Sequence, residues 1–319
     1  MKTAIFGGTG FVGSYLVDRL SDAGVDTRLL VRPGHEHRVE RPDACETVAG
    51  DLASDGAIAG TLDGCDAVIY NVGILREQPG QGITFDELHY RAARRVMDIA
   101  ERLGVRRFVL MSANGVKADG TAYQRTKHLA ERHLRESSLD WTIMRPSVIF
   151  GDPRGRMEFA TQLHDEIIAS PLPAPLFYPG LSPFNAGSFE MSPVHVEDVA
   201  QAFVTVLQDA STIGQILHLG GPESLTWRAI LERIATAAGR DKAMLPVPAL
   251  GVSTAAALFE RFDRFPITRD QIRMLLEGNS CDSDDLVRLG IIPRPFDAAG
   301  LAYLKPAQGG GSTWQQNAA

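Results

Sequence analysis

The chain has few cysteines. Only Cys45, Cys65 and Cys281 occur in 319 residues, without CxxC spacing. An odd, scattered set argues against a disulfide framework or a zinc site and for a reducing compartment. Long apolar runs are missing as well. No stretch approaches the roughly 18–20 apolar residues that a spanning helix needs, and "VPALGVSTAAALF" (Val247 to Phe259) is short and proline-led, so a packed helix is expected there. No charged segment followed by an apolar core and a small-residue cleavage site leads the sequence, so no secretory leader is expected. There is no basic run. Lys and Arg total 32 against 39 Asp and Glu, a formal charge of −7, which argues against a general nucleic-acid binder but leaves small anions open. Gly-x-Ser-x-Gly is absent, so a hydrolase elbow is not supported. No paired ligands at useful spacing point to a metal.

What is present is enough apolar residue, 44% against 22% charged, to bury a substantial core. The first half alternates apolar runs with helical patterns. "KTAIFGG", "DTRLLVR", "ETVAGDL", "DAVIYNVG", "RFVLMSA" and "DWTIMRPSVIFG" read as six strands. Val12, Leu16 and Leu20 recur at helical spacing, and Gly24 suits that helix's end. Thr84 and Glu87 form a capping box for a helix from about Phe85 to Leu103. Strand and helix in regular alternation give right-handed crossovers and an α/β, Rossmann-type, doubly wound parallel sheet. Beyond Gly151 the pattern loosens, with a helix expected near 158–169. "SPVHVEDVAQAFVTVL" and "QILHLGGP" then resume the strand–helix rhythm, and residues 226–304 read as mostly helical. The expected organisation is a dinucleotide domain from 1–151 and 194–222, a smaller, mostly helical lobe from 152–193 and 223–306, and a flexible tail at 307–319.

Gly7, Gly10 and Gly13 in "GGTGFVG" lie between the first strand and first helix. That setting needs a tight turn, close backbone approach to a pyrophosphate and close helix–strand packing, with the helix N-terminus facing the phosphates. Thr9, Phe11 and Val12 complete this turn. After the second strand, an acid would hold the ribose of NAD and an arginine the 2′-phosphate of NADP. "LLVRPG" offers Arg32 and no acid before Glu36, so NADP is expected over NAD. Asp51 and Leu52 after the third strand are placed for the adenine, and Asn71, Val72 and Gly73 after the fourth for the ribose. Tyr123 and Lys127 in "AYQRTK" stand one helical turn apart on one face. His195 lies near the lobe junction and His89 on the helix before the fifth strand; both read as structural. Asp198 is expected to cap the helix that follows it.

The glycine fingerprint, Tyr123-x-x-x-Lys127 and "RPSVIFG" together resemble the short-chain dehydrogenase/reductase superfamily, in its extended and atypical branches, over nearly the whole chain. "YQRTK", "RPSVIFGD", "SPVHVEDVAQA" and above all "FPITRDQIRML" are similar to the nucleotide-binding accessory subunit of respiratory complex I and its bacterial relatives. The resemblance implies Tyr123 as proton donor or acceptor, with a pKa lowered from about 10 by Lys127, and Lys127 bonded to the nicotinamide ribose. It implies Ser112 as the group orienting a substrate oxygen, and Pro146 and Ser147 lining the nicotinamide pocket. Two features depart from the superfamily. Ser112 sits one residue early, with Ala113 at the expected position, and only ten residues separate Ser112 from Tyr123. Two readings stay open. One is a cytoplasmic protein, peripheral to an inner-membrane complex, that holds NADPH in a structural or assembly role. The other is an NADP-dependent oxidoreductase or epimerase acting on a small carbonyl or alcohol through the Tyr–Lys pair.

Overall fold

Six apolar segments of the first 146 residues become strands of one sheet. The computed structural model describes residues 1–180, 182–249 and 269–305. In chain order the first part runs β1 (Lys2–Phe6), α1 (Phe11–Asp22), β2 (Asp26–Val31), β3 (Cys45–Ala49), α2 (Asp55–Leu62), β4 (Ala67–Tyr70), α3 (Ala92–Leu103), β5 (Arg107–Met111), α4 (Ala122–Glu136) and β6 (Asp140–Pro146). The second part runs β7 (Ile149–Phe150), α5 (Phe159–Leu163), β8 (Ala174–Tyr178), β9 (Glu190–Met191), β10 (Val194–His195), α6 (Val196–Gln208), β11 (Gln215–Leu219), β12 (Leu225–Thr226), α7 (Trp227–Ala237), β13 (Met244–Pro248), α8 (Arg269–Glu277) and α9 (Asp285–Arg288).

The central sheet has seven strands in the order β11-β6-β5-β4-β1-β2-β3, every pairing parallel. Buried strands of this kind are apolar on both faces, and residues alternate between two cores accordingly. Ile5, Leu29, Ile69, Val109 and Met144 face α1 and α6. Ala4, Phe6, Val68, Tyr70, Phe108 and Ile143 face α2, α3 and α4. The strand order reverses between β1 and β4, which opens a crevice at the carboxyl ends of the strands where α/β folds take ligands. A third core gathers Phe150 with Leu176, Trp227, Ile230 and Phe296 of the later segments. The segments around it carry helices, α7 among them, and the strand pairs β8–β13 and β9–β12.

Three local expectations change. The helix before β5 starts with π-wound turns over Asp86–Arg91 before α3. Thr84 Oγ1 accepts the Glu87 N–H at 3.1 Å, but the Glu87 carboxylate turns to Arg95 at 3.6 Å, so only half of the capping box forms. Asp198 does not cap α6. His195 does, its Nδ1 accepting the Glu197 N–H at 3.2 Å. The Asp198 carboxylate, 1% exposed, instead holds the backbone N–H and guanidinium of Arg294, which lies 96 residues away. Most of "VPALGVSTAAALF" and the tail lie outside the described residues.

Candidate functional site

The turn between β1 and α1 is built by close approach. Gly7 has φ +92°, and a Cβ on it would lie 2.7 Å from the Asn71 carbonyl oxygen. A Cβ on Gly13 would lie 2.1 Å from the Gly7 oxygen, closing the turn against the helix. The Gly10 N–H donates to the Gly7 oxygen at 3.2 Å. Gly10 N-caps α1 with no side-chain cap to the first-turn amides among the described residues, and no acid occupies that turn. Thr9, Phe11 and Val12 are half-buried around it. Unsatisfied amides and a positive helix end form a cradle for an anion.

The neighbouring strand ends carry the other expected positions. Arg32, just past β2, is exposed and has no ion pair or side-chain hydrogen bond among the described residues. The first acid beyond it, Glu36, accepts the Gly34 N–H at 3.1 Å. Backbone amides of its own loop hold this carboxyl below the usual range. Asp51 is exposed and accepts the Ala53 N–H at 2.8 Å, while the Leu52 carbonyl is held by Arg95 at 2.8 Å. Asn71 Nδ2 reaches the Gly7 oxygen at 3.4 Å. The Val72 carbonyl and Gly73 lie against the Lys127 ammonium. Glycine turn, free arginine, Asp51 and Asn71 therefore border one crevice at the ends of β1 to β4.

α4 starts at a full capping box, Thr121 with Gln124, and turns Tyr123 and Lys127 inward. Lys127 is 4% exposed. Its Nζ donates to the carbonyls of Met111 at 2.9 Å and Val72 at 3.3 Å, and burial pulls its pKa down to about 8. Tyr123 stands edge-on to His89, with ring centroids 5.1 Å apart, and to Phe85 at 5.7 Å. Its hydroxyl has no hydrogen-bond partner among the described residues. Desolvation pushes this phenol up to about 12, where the resemblance implied a lowering by Lys127. His89 is held neutral, its pKa drawn down to about 2 by burial and then by the Lys127 charge. Nε2 accepts the Ile74 N–H at 3.1 Å, so Nδ1 carries the proton toward Thr126 Oγ1 at 3.3 Å. Both ring nitrogens are committed, as a structural histidine's would be.

The other expected polar groups are committed too. The Ser112 hydroxyl donates to the Glu131 carboxylate, which also receives Arg145 Nε at 2.9 Å. Ser147 Oγ donates to the Asn279 carbonyl at 2.7 Å. Asn114, reached by its backbone to the Pro146 carbonyl, spends its amide on Asn279 Oδ1 at 2.9 Å and the Ser280 carbonyl at 2.8 Å. α8, which carries "RDQIRML", meets the start of α4. Asp270 accepts the Ala122 N–H at 3.3 Å, and Glu277 holds Gln124 at 3.0 Å and Lys117 at 2.9 Å. Sequence reasoning missed Glu131, Asn114 and Asn279. Glu131 had a signal, being one turn beyond Lys127 on the same inward face; Asn279 had none.

The NAD(P)H-binding family model matches residues 7–169, about half of the chain, and the match begins on the glycine turn. The chain belongs to the NAD(P)H-binding family. Over 281 residues it is 26% identical to the "NADH dehydrogenase [ubiquinone] 1 alpha subcomplex subunit 9, mitochondrial" of Dictyostelium discoideum, covering 85% of this chain and 74% of that protein. It is 25% identical over 238 residues to an "NAD(P)H azoreductase" of Xenophilus azovorans, covering 74% and 73%. Its fold matches a Thermus thermophilus UDP-glucose 4-epimerase solved in complex with NAD, with a TM-score of 0.70, 18% identity and coverage of 95% and 97%. The fold is thus the Rossmann-like fold of that NAD-bound epimerase, and the relatives include an NADH dehydrogenase subunit and an azoreductase. Among the described residues no helix is long and apolar enough to cross a membrane. The cradle fits a dinucleotide: glycines stand where a Cβ would collide, α1 offers open amides, and Arg32 is an uncommitted cation.

Proposed function

We propose that the chain holds NADPH as a resident, structural cofactor and serves in the assembly or stability of a respiratory or other membrane complex, to which it is peripheral. One observation carries this reading. Ser112, expected to orient a substrate oxygen, and Ser147, expected in the nicotinamide pocket, are both spent on the chain's own groups, as are the side-chain amides of Asn114 and Gln124. The similarity to a complex I subunit supports it. Arg32, free where an acid would be needed for NAD, supports the phosphorylated dinucleotide. Gly7, Gly10, Gly13, Arg32, Asp51 and Asn71 would hold the cofactor, with Lys127 free to exchange a backbone carbonyl for a ribose hydroxyl. Residues 1–151 with 194–222 form the dinucleotide lobe in this reading, and the third hydrophobic core marks the lobe that meets a partner.

The uncommitted Tyr123 hydroxyl favours a second reading, an NADP-dependent oxidoreductase or epimerase. The dinucleotide would supply the hydride chemistry. Tyr123, protonated because burial raises its pKa, would give a proton to a substrate oxygen, and the Lys127 charge would stabilise the phenolate left behind. The dissociation rate of NADPH, followed by fluorescence and displacement, separates the two. Retention for hours, with Tyr123→Phe leaving retention and stability unchanged, is the expected result. Release within seconds, with carbonyl turnover that Tyr123→Phe abolishes, would replace the structural reading by the enzymatic one. NADH competing as well as NADPH would overturn the assignment of Arg32.

A further inference from the structure

Residues 151–157 follow β7 and run back to α1 and the glycine turn. Three side chains fasten them there. The Tyr15 hydroxyl of α1 donates to the Asp152 carbonyl at 3.0 Å. Arg154 stacks its guanidinium 3.7 Å from the centre of the Tyr15 ring and pairs with Asp18 at 2.6 Å. It has φ +49°, the left-handed region that residues other than glycine seldom enter, and is held there by these contacts. Arg156 is the third fastening, with a side chain 10% exposed. Its Nε donates to the Thr9 carbonyl at 3.0 Å, one Nη to the Arg154 carbonyl at 2.9 Å, and the other to the Arg38 carbonyl at 2.8 Å and the Glu40 carboxylate at 3.0 Å.

The Thr9 carbonyl shares a peptide plane with the Gly10 N–H, and in a trans peptide the two point in opposite directions. Arg156 grips the oxygen from outside while Gly10 donates inward to Gly7 at 3.2 Å. The plane is therefore fixed from both sides, and with it the direction of the open amides that begin α1. The same guanidinium ties this turn to the loop between β2 and β3, which carries Arg32. These are the two segments that border the dinucleotide crevice on its phosphate and adenosine side. A planar five-donor fork can span such acceptors; a lysine point charge cannot.

We propose that segment 152–156 is a latch that ties the glycine turn to the β2–β3 loop, and that Arg156 is the positioning residue that sets how slowly the dinucleotide exchanges. The inference rests on dinucleotide binding at the glycine turn, not on whether the chain catalyses a reaction. Wild-type retention time tests the structural reading; the ratio of variant to wild-type release tests the latch.

The experiment is NADPH release by displacement and fluorescence, with the melting temperature of the unloaded protein measured alongside. Arg156→Ala should release NADPH about tenfold faster, the order expected when hydrogen bonds to a charged group are lost. Arg156→Lys should remain fast, because it keeps the charge and loses the fork. Arg106→Ala removes a surface pair with Asp140 at 3.2 Å, remote in the fold, and should leave release unchanged. Glu40→Gln weakens one anchor on the exposed loop and should accelerate release by a smaller factor; it carries the test if Arg156→Ala does not fold. Unchanged release in folded Arg156→Ala, or in Glu40→Gln where that variant carries the test, would overturn the latch. So would wild-type release in Arg156→Lys, or equal acceleration by Arg106→Ala.

Discussion

Gly13 is the third residue of α1, where alanine is ordinarily the better helix former by about 1 kcal/mol. The tertiary structure reverses that preference. A Cβ on Gly13 would sit 2.1 Å from the Gly7 oxygen and 2.7 Å from the Gly8 Cα, against an ordinary contact of about 3.5 Å. The obstacle is backbone, so no rotamer change relieves it; the turn and the helix must separate by roughly an ångström. Overpacking of this kind costs about 1–3 kcal/mol, which leaves a net loss of up to about 2 kcal/mol for Gly13→Ala once propensity is subtracted. Dinucleotide affinity should suffer more, because the amides facing the phosphates move with the turn. Loss of one or two such charge-assisted bonds is worth about 3 kcal/mol, roughly a hundredfold in Kd. Gly10→Ala is the contrast. Its φ is −78° and its Cβ would meet only the Gly7 oxygen at 3.4 Å, so folding should lose less than about 1 kcal/mol while the added methyl crowds the helix end. Urea midpoints of unloaded protein and NADPH titrations read both quantities. A Gly13→Ala protein with wild-type midpoint and affinity, or a Gly10→Ala protein less stable than Gly13→Ala, would refute the close-approach argument.

Two further outcomes concern the buried charges behind Tyr123. Glu131 is 2% exposed and faces Arg145, 18% exposed; Glu131→Ala would strand that guanidinium and should cost about 3–5 kcal/mol in urea unfolding, with Glu131→Gln costing less. Lys127 is held near 8 in the folded protein against 10.5 for a free lysine, so between those values the folded state binds fewer protons than the unfolded one. Stability of unloaded wild type should therefore rise from pH 8 to 10.5 relative to Lys127→Met, by about 3 kcal/mol in all. A flat difference across that range would show that Lys127 is not desolvated.

The relation between sequence and structure divides along contact distance. Local spacing determined the strands, the glycine turn and the inward face shared by Tyr123 and Lys127, because each rests on a period or a steric requirement within a few residues. The parallel sheet followed from the alternation of those elements. Tertiary structure alone decided what the site residues do. Ser147 and Asn114 are spent on Asn279, 132 and 165 residues away, and Arg156 grips Thr9 across 147 residues. His89 is locked as a neutral base-acceptor and Tyr123 is raised rather than lowered, since burial is set by everything packed around a group. Asp198, a capping residue by its position in the sequence, instead anchors Arg294. A sequence states which groups are present and their local geometry; which partner satisfies each of them is settled only when distant segments meet and exclude water.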